Sequence, residues 1–160
     1  MSDMSAPASS PDPQLRRAVA ADAVVVRELT RLAYQKWMPL IGREPKPMTT
    51  DFDRAIRKHI VDLMLTGERV VALIETIPGR DHLFVENIAV LPECQGRGFG
   101  RRMMQHAEGI AVSVGLPAIR LYTNKLFVDN LRFYERLGYR VDGEESFKGG
   151  FLVHMSKRVR

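Results

Sequence analysis

The residues with the most chemical promise lie together in Glu86-Asn87-Ile88-Ala89-Val90-Leu91-Pro92-Glu93-Cys94-Gln95-Gly96-Arg97-Gly98-Phe99-Gly100-Arg101-Arg102. A β-type apolar run ends at Val90 and Pro92 breaks it. Three alternate glycines then lead directly into a segment of helical periodicity. The first N–H groups of a helix lack intrahelical acceptors, and the helix dipole there favours negative charge, so such a turn can cup a phosphate. Glycine permits both positive φ and close backbone approach to a ligand. Arg97, Arg101 and Arg102 flank the turn, and a guanidinium fork suits phosphate oxygens. A glycine-rich turn that holds no ligand has the same composition. Two familiar phosphate loops fit poorly. Gly96, Gly98 and Gly100 run G-x-G-x-G, with Arg101 where the third glycine of a dinucleotide fingerprint belongs, and the Gly-Lys-Ser/Thr of a P-loop is absent.

Further along, Asn130-Leu131-Arg132-Phe133-Tyr134-Glu135-Arg136-Leu137-Gly138-Tyr139 sets Asn130 and Tyr134 four residues apart, on one face of an expected helix. A tyrosine so placed is either a packing aromatic with a local hydrogen-bond partner or a proton donor aimed at a site. The two segments together resemble the signatures of the GNAT acetyltransferases. Gln95, Gly98 and Gly100 match the family's Gln/Arg-x-x-Gly-x-Gly/Ala, after a strand carrying Ile-Ala-Val. The Asn130 segment matches Asn-x-x-x-Phe-Tyr-x-x-x-Gly-Phe/Tyr. The likeness runs from about Leu15 to Lys157 and is closest to small bacterial members of unassigned substrate.

That resemblance implies acetyl-CoA as co-substrate, no metal, and direct transfer to a primary amine, a small molecule before a protein. It implies that Gln95, Gly96, Arg97, Gly98, Phe99, Gly100 and Arg101 hold the pyrophosphate. Ile88, Ala89 and Val90 would line the pantetheine, with Asn124, Asn130 and Phe133 as further cofactor contacts. Tyr134 would protonate the departing thiolate. The acceptor must shed a proton, and a carboxylate can take it: Glu86 is the candidate base, on the strand parity of Ile88 and Val90, with Glu75 the alternative. Tyr34, Trp37, Ile41 and Arg43, with Met38 and Phe52, would wall the acceptor. Each of these can also serve as ordinary packing or as a solvent-facing charge. A non-catalytic acyl-CoA sensor is the alternative function, and homodimerisation is compatible with the family. His59 and His82 read as lone surface histidines, and no His/Cys/Asp/Glu spacing suggests a metal site.

The elements that must position these groups follow from periodicity. Leu15 to Val19 reads as a strand, and Asp22 caps a helix with Val25, Val26, Leu29, Leu32 and Ala33 on one face. Trp37 to Met48, with three prolines and Gly42, reads as loop. Thr50 and Asp53 suggest a capping box opening a short helix to Lys58. Strands follow at 60–65, 70–77 and 82–90, then a helix over 99–114 closed by Gly115. Ala118–Thr123, Asp129–Leu137, Tyr139–Asp142 and Phe151–Ser156 read as strand, helix, strand and strand. The expected fold is α/β with a mixed sheet of about seven strands and four helices. The resemblance further implies that the sheet splays between the strands at 83–90 and 118–123 to admit acetyl-CoA.

At 160 residues with 45% hydrophobic side chains, the chain suits one domain with a sizeable core, residues 14–160, behind a Ser/Pro/Ala-rich tail over 1–13. A net charge of +5 is scattered among acids, apart from Lys157-Arg158-Val159-Arg160. No nucleic-acid motif stands out. No apolar run suits a bilayer or a signal peptide, and the lone Cys94 fits a reducing compartment, so the expectation is cytoplasmic with no membrane or nucleic-acid partner.

Overall fold

The structure is a computed structural model that describes residues 12–159. The tail expected over residues 1–13 therefore lies almost wholly outside the described residues. Seven strands, β1 (Gln14–Arg17), β2 (Ile60–Thr66), β3 (Arg69–Pro78), β4 (Leu83–Val90), β5 (Ala118–Asn124), β6 (Arg140–Phe147) and β7 (Gly150–Arg158), form one sheet in the order β1-β2-β3-β4-β5-β7-β6. Every neighbouring pair is antiparallel except β4 and β5. That parallel pair is joined by a crossover containing the glycine turn and a helix, as parallel strands require.

Four helices pack on the sheet: α1 (Ala23–Tyr34), α2 (Phe52–Lys58), α3 (Phe99–Ser113) and α4 (Val128–Arg136). In α3, Met103, Met104, Ala107 and Ala111 recur every three to four residues and are fully enclosed against β3, β4 and β5. Gly115, at φ 75°, ends the helix in the left-handed region. Leu63, Leu73, Ile74, Leu83, Ile119, Leu121 and Met155 supply the sheet's share of the core. Buried polar links also tie the layers. Asp62 in β2 accepts from Arg17 Nε at 2.7 Å and meets His106 Nε2 of α3 at 2.9 Å.

Several local expectations differ from what forms. The segment expected as loop after α1 winds into short helical turns at Gln35–Trp37, Met38–Ile41 and Lys46–Thr49. Asp51, not Thr50, caps α2, its Oδ1 accepting from Arg54 N–H at 3.1 Å. Asp22 makes no cap bond to α1. Its carboxylate instead accepts from Val19 N–H and from Arg16 at the end of β1. The penultimate strand continues to Phe147, well past Asp142, because β7 pairs along it.

Candidate active site

The site begins where the sheet stops being a sheet. β4 and β5 pair only at Leu83–Ile119 and Phe84–Arg120, and past that point the strands separate. The remaining β4 backbone keeps its partner on the β3 side only. Pairing there steps from Val85–Thr76 to Asn87–Glu75, so Glu86 has no opposite residue. A bulge of this kind redirects side chains, and it interrupts the simple strand parity that sequence assigns to Glu86, Ile88 and Val90.

One cleft, of about 370 Å³, runs from the splay to the glycine turn. Gly96 and Gly98 sit at φ 80° and 83°, and a Cβ on either would meet nothing, so their glycines answer a backbone requirement and leave open space. Gly98 caps α3 with no side-chain cap, and the first intrahelical bond is Arg102 N–H to Gly98 O at 3.1 Å. The N–H groups of Phe99, Gly100 and Arg101 are thus left to an outside acceptor. Lys36, Arg101 and Arg136 line the same cleft, and Lys36 Nζ donates to Gln95 Oε1 at 3.1 Å. Gln95 Nε2 in turn donates to Val90 O, tying the turn to the strand end. Unpaired donors, room without side chains and cations fit a diphosphate. Gly100 answers a different need. A Cβ there would stand 3.2 Å from Phe133 Cζ, so its bareness lets α3 approach α4.

A second, smaller cavity of about 70 Å³ lies between the diverging strands, against Val85–Ile88 of β4 and Leu121–Asn124 of β5. Ile41, Arg43 and Lys46 come from the turns after α1, Glu86 from the bulge, Tyr122 from β5 and Phe147 from the β6–β7 hairpin. Lys46 Nζ lies 3.3 Å from Glu86 Oε1 and donates to the Tyr122 hydroxyl at 3.1 Å. The bond to Tyr122, then the charge of Glu86, holds the Lys46 ammonium above its ordinary pKa despite partial desolvation.

Tyr34, Ile88, Asn130 and Tyr134 line both cavities and so mark their junction. Tyr34 donates to Ile88 O at 3.3 Å, and Asn130 Nδ2 to Thr123 Oγ1 at 3.4 Å. Tyr134 is 6% exposed, its ring set between Phe133 and Tyr139. Burial pushes the pKa of both Tyr34 and Tyr134 well up, so each phenol keeps its proton and stays a hydrogen-bond donor.

Most residues singled out from sequence converge here, with informative exceptions. Arg97 and Arg102 do not line the cleft, whereas Lys36 and Arg136, unremarked in sequence, do. Trp37, expected at the acceptor, lines the larger cleft and stacks on Phe127 at 4.4 Å, carried there by the turn at Gln35–Trp37. Asn124, expected beside the cofactor, lines the smaller cavity and uses Oδ1 to accept from Leu126 N–H. Phe52 is core and Met38 lines neither cavity. Glu75 is buried, paired with His59 Nδ1 at 2.5 Å, and lines neither cavity. Burial raises its pKa while His59 opposes the rise. The missed wall residues Lys46, Tyr122 and Phe147 come from three distant segments, and only for Lys46, close to Arg43, was there any local hint.

The comparisons agree with this architecture. The model of a family described as "Acetyltransferase (GNAT) family" matches residues 26–139. N-alpha-acetyltransferase 80 of Mus musculus is 41% identical over 59 residues, 37% of this chain and 18% of that protein, so the match spans under a fifth of the relative's length. Among solved structures, the ribosomal-protein-S18-alanine N-acetyltransferase from Escherichia coli superposes with a TM-score of 0.70 at 15% identity, covering 92% of this chain and 94% of that one. A GNAT family acetyltransferase from Elizabethkingia anophelis with acetyl-CoA bound gives 0.69 at 14%, covering 91% and 97%.

Proposed function

This chain belongs to the acetyltransferase (GNAT) family, and on that premise we propose that it passes the acetyl group of acetyl-CoA to a primary amine by direct attack. The observation that carries the reading is the junction: a diphosphate-sized cleft and a small acceptor cavity share Tyr34, Ile88, Asn130 and Tyr134. Acetyl-CoA, when bound, supplies a thioester. The N–H groups of Phe99, Gly100 and Arg101, with Lys36, Arg101 and Arg136, would hold its diphosphate. Gln95 keeps the turn tied to Val90. The unpaired edge of β4 from Ile88 to Val90 offers backbone N–H groups to an oxyanion. Glu86 would take the ammonium proton, and the neutral amine would attack. The second proton it sheds on becoming an amide would replace the one Tyr134 hands to the departing sulfur. The acceptor cavity is only about 70 Å³, which suits a small-molecule acceptor. The buried thiol of Cys94, the chain's one cysteine, accords with a reducing, cytoplasmic setting. Among the described residues no helix is long and apolar enough to cross a membrane.

The test is CoA-thiol release from acetyl-CoA across amines, amino acids, peptides and polyamines, beside calorimetric binding of CoA. Turnover with at least one amine supports transfer. Binding of CoA with no turnover on any amine would make the chain an acyl-CoA sensor instead.

A further inference from the structure

We propose that the acceptor carries a carboxylate or similar anion beside its amine, and that Lys46 selects it by leaving Glu86 for that anion. This rests on the transfer reading above. Among the described residues the charged groups lining the acceptor cavity are Arg43, Lys46 and Glu86, two cations against one anion. Glu86 is already compensated, with Lys46 Nζ 3.3 Å away. Arg43 is not. Its Nη1 donates to the main-chain carbonyl of Glu44, whose carboxylate pairs with Arg31, and its guanidinium lies 5.4 Å from the centre of the Phe147 ring.

A polyamine or other polycation entering this cavity meets net positive charge and a base that is occupied. An aminocarboxylate meets the opposite. Its anion can engage the Arg43 fork and draw the Lys46 ammonium, freeing the Glu86 lone pairs to receive the amine's proton. Lys46 is suited to that exchange, since its side chain is 56% exposed on a long stem from the turn Lys46–Thr49. Nearby cations also disfavour the protonated form of the acceptor amine, which is the unreactive one. Acceptors with an amine alone leave Lys46 where it is.

The experiment uses the full chain at saturating acetyl-CoA and compares aminocarboxylates with the carboxamides of the same skeletons, together with a polyamine. The acid of each pair is expected to exceed its carboxamide in kcat/KM by about tenfold or more, chiefly through KM, as one charge-assisted hydrogen bond allows. Lys46→Gln should collapse that ratio, Lys46→Glu should shift preference toward the polyamine, and Lys46→Arg should retain it. A parallel pair of peptides, with an acidic or an amide side chain next to the amino terminus, distinguishes the source of the anion. A preference confined to the peptides upholds selection and assigns it to a peptide end. Equal turnover of acids and carboxamides, or a ratio unmoved by both Lys46→Gln and Lys46→Glu, overturns the proposal while leaving transfer intact. Failure of every amine to release thiol, with CoA still bound, overturns the transfer reading and this one with it.

Discussion

Replacing Tyr134 by Phe isolates one hydroxyl at the junction. The ring keeps its place between Phe133 and Tyr139, at centroid distances of 5.2 and 5.9 Å, so packing is retained. Among the described residues no hydrogen bond joins that hydroxyl to the protein, so its removal strands no partner and the Tm should hold. What is lost is a donor to the departing sulfur. A hydrogen bond to a charged group is worth about 1.5–3 kcal/mol, or roughly 10- to 150-fold in rate at about 1.4 kcal/mol per decade. Steady-state thiol release at saturating donor should therefore show kcat down by that factor. The Kd for CoA, by calorimetry, should move less than about twofold. Because burial raises the phenol's pKa, the wild-type rate should show no loss from phenol ionisation as pH climbs toward 10. A variant retaining more than half the wild-type kcat would refute the assignment. A fall in kcat matched by an equal loss of CoA affinity would turn Tyr134 into a holder of the donor.

Three further outcomes are expected. Glu86→Gln should lower kcat/KM about 100-fold near neutrality and recover as pH approaches the acceptor's own pKa, where free amine no longer needs a base; a pH-independent deficit would remove Glu86 from proton transfer. Gly98→Ala should cost about 1 kcal/mol of stability and weaken CoA binding several-fold, since φ 83° is strained for a side chain even though the Cβ meets nothing; unchanged affinity would detach the turn from the diphosphate. Tyr139 is buried with an unpartnered hydroxyl, and burial raises its pKa as it does that of Tyr134. A phenol whose folded pKa is raised gives stability that is whole below about pH 10 and declines above it, because only the unfolded chain then ionises, by up to about 1.4 kcal/mol per pH unit for each phenol. Urea midpoints from pH 9 to 11 should fall more gently for Tyr139→Phe, whose stability near neutrality should match or exceed wild type; a steeper fall would contradict that accounting.

What the sequence made legible was whatever rested on local pattern. The glycine turn and α3 were readable because Pro92, Gly98 and the enclosed set Met103, Met104, Ala107 and Ala111 speak within one segment. The β4–β5 opening was expected from the family resemblance and is where the pairing ends. Strand β6 was cut short because Asp142 to Ser146 is exposed throughout and shows no alternation; its β-state comes from hydrogen bonds to β7, a long-range cause. Trp37 was expected beside Ile41 and Arg43 but lines the larger cleft, because one short turn, Gln35–Trp37, decides which way it faces. Phe147 and Tyr122 stayed invisible as walls of the smaller cavity, because only the assembled sheet brings them to Glu86. Lys46 carried a hint in the nearby Arg43, yet its partnership with Glu86 spans 40 residues of sequence and no periodicity reports it.

The brief contact of β4 with β5 has a mechanical meaning. Five pairings of the sheet run the length of their strands, while the sixth is fastened at Leu83–Ile119 and Phe84–Arg120 alone, so two slabs share a short seam. The angle at that seam sets how wide the slot gapes. Leu83 and Ile119 are wholly enclosed and touch neither cavity, yet they form half of that seam. Trimming either one should alter the fit of anything wedged in the slot from a distance, and an occupant lodged there would brace the slabs against each other.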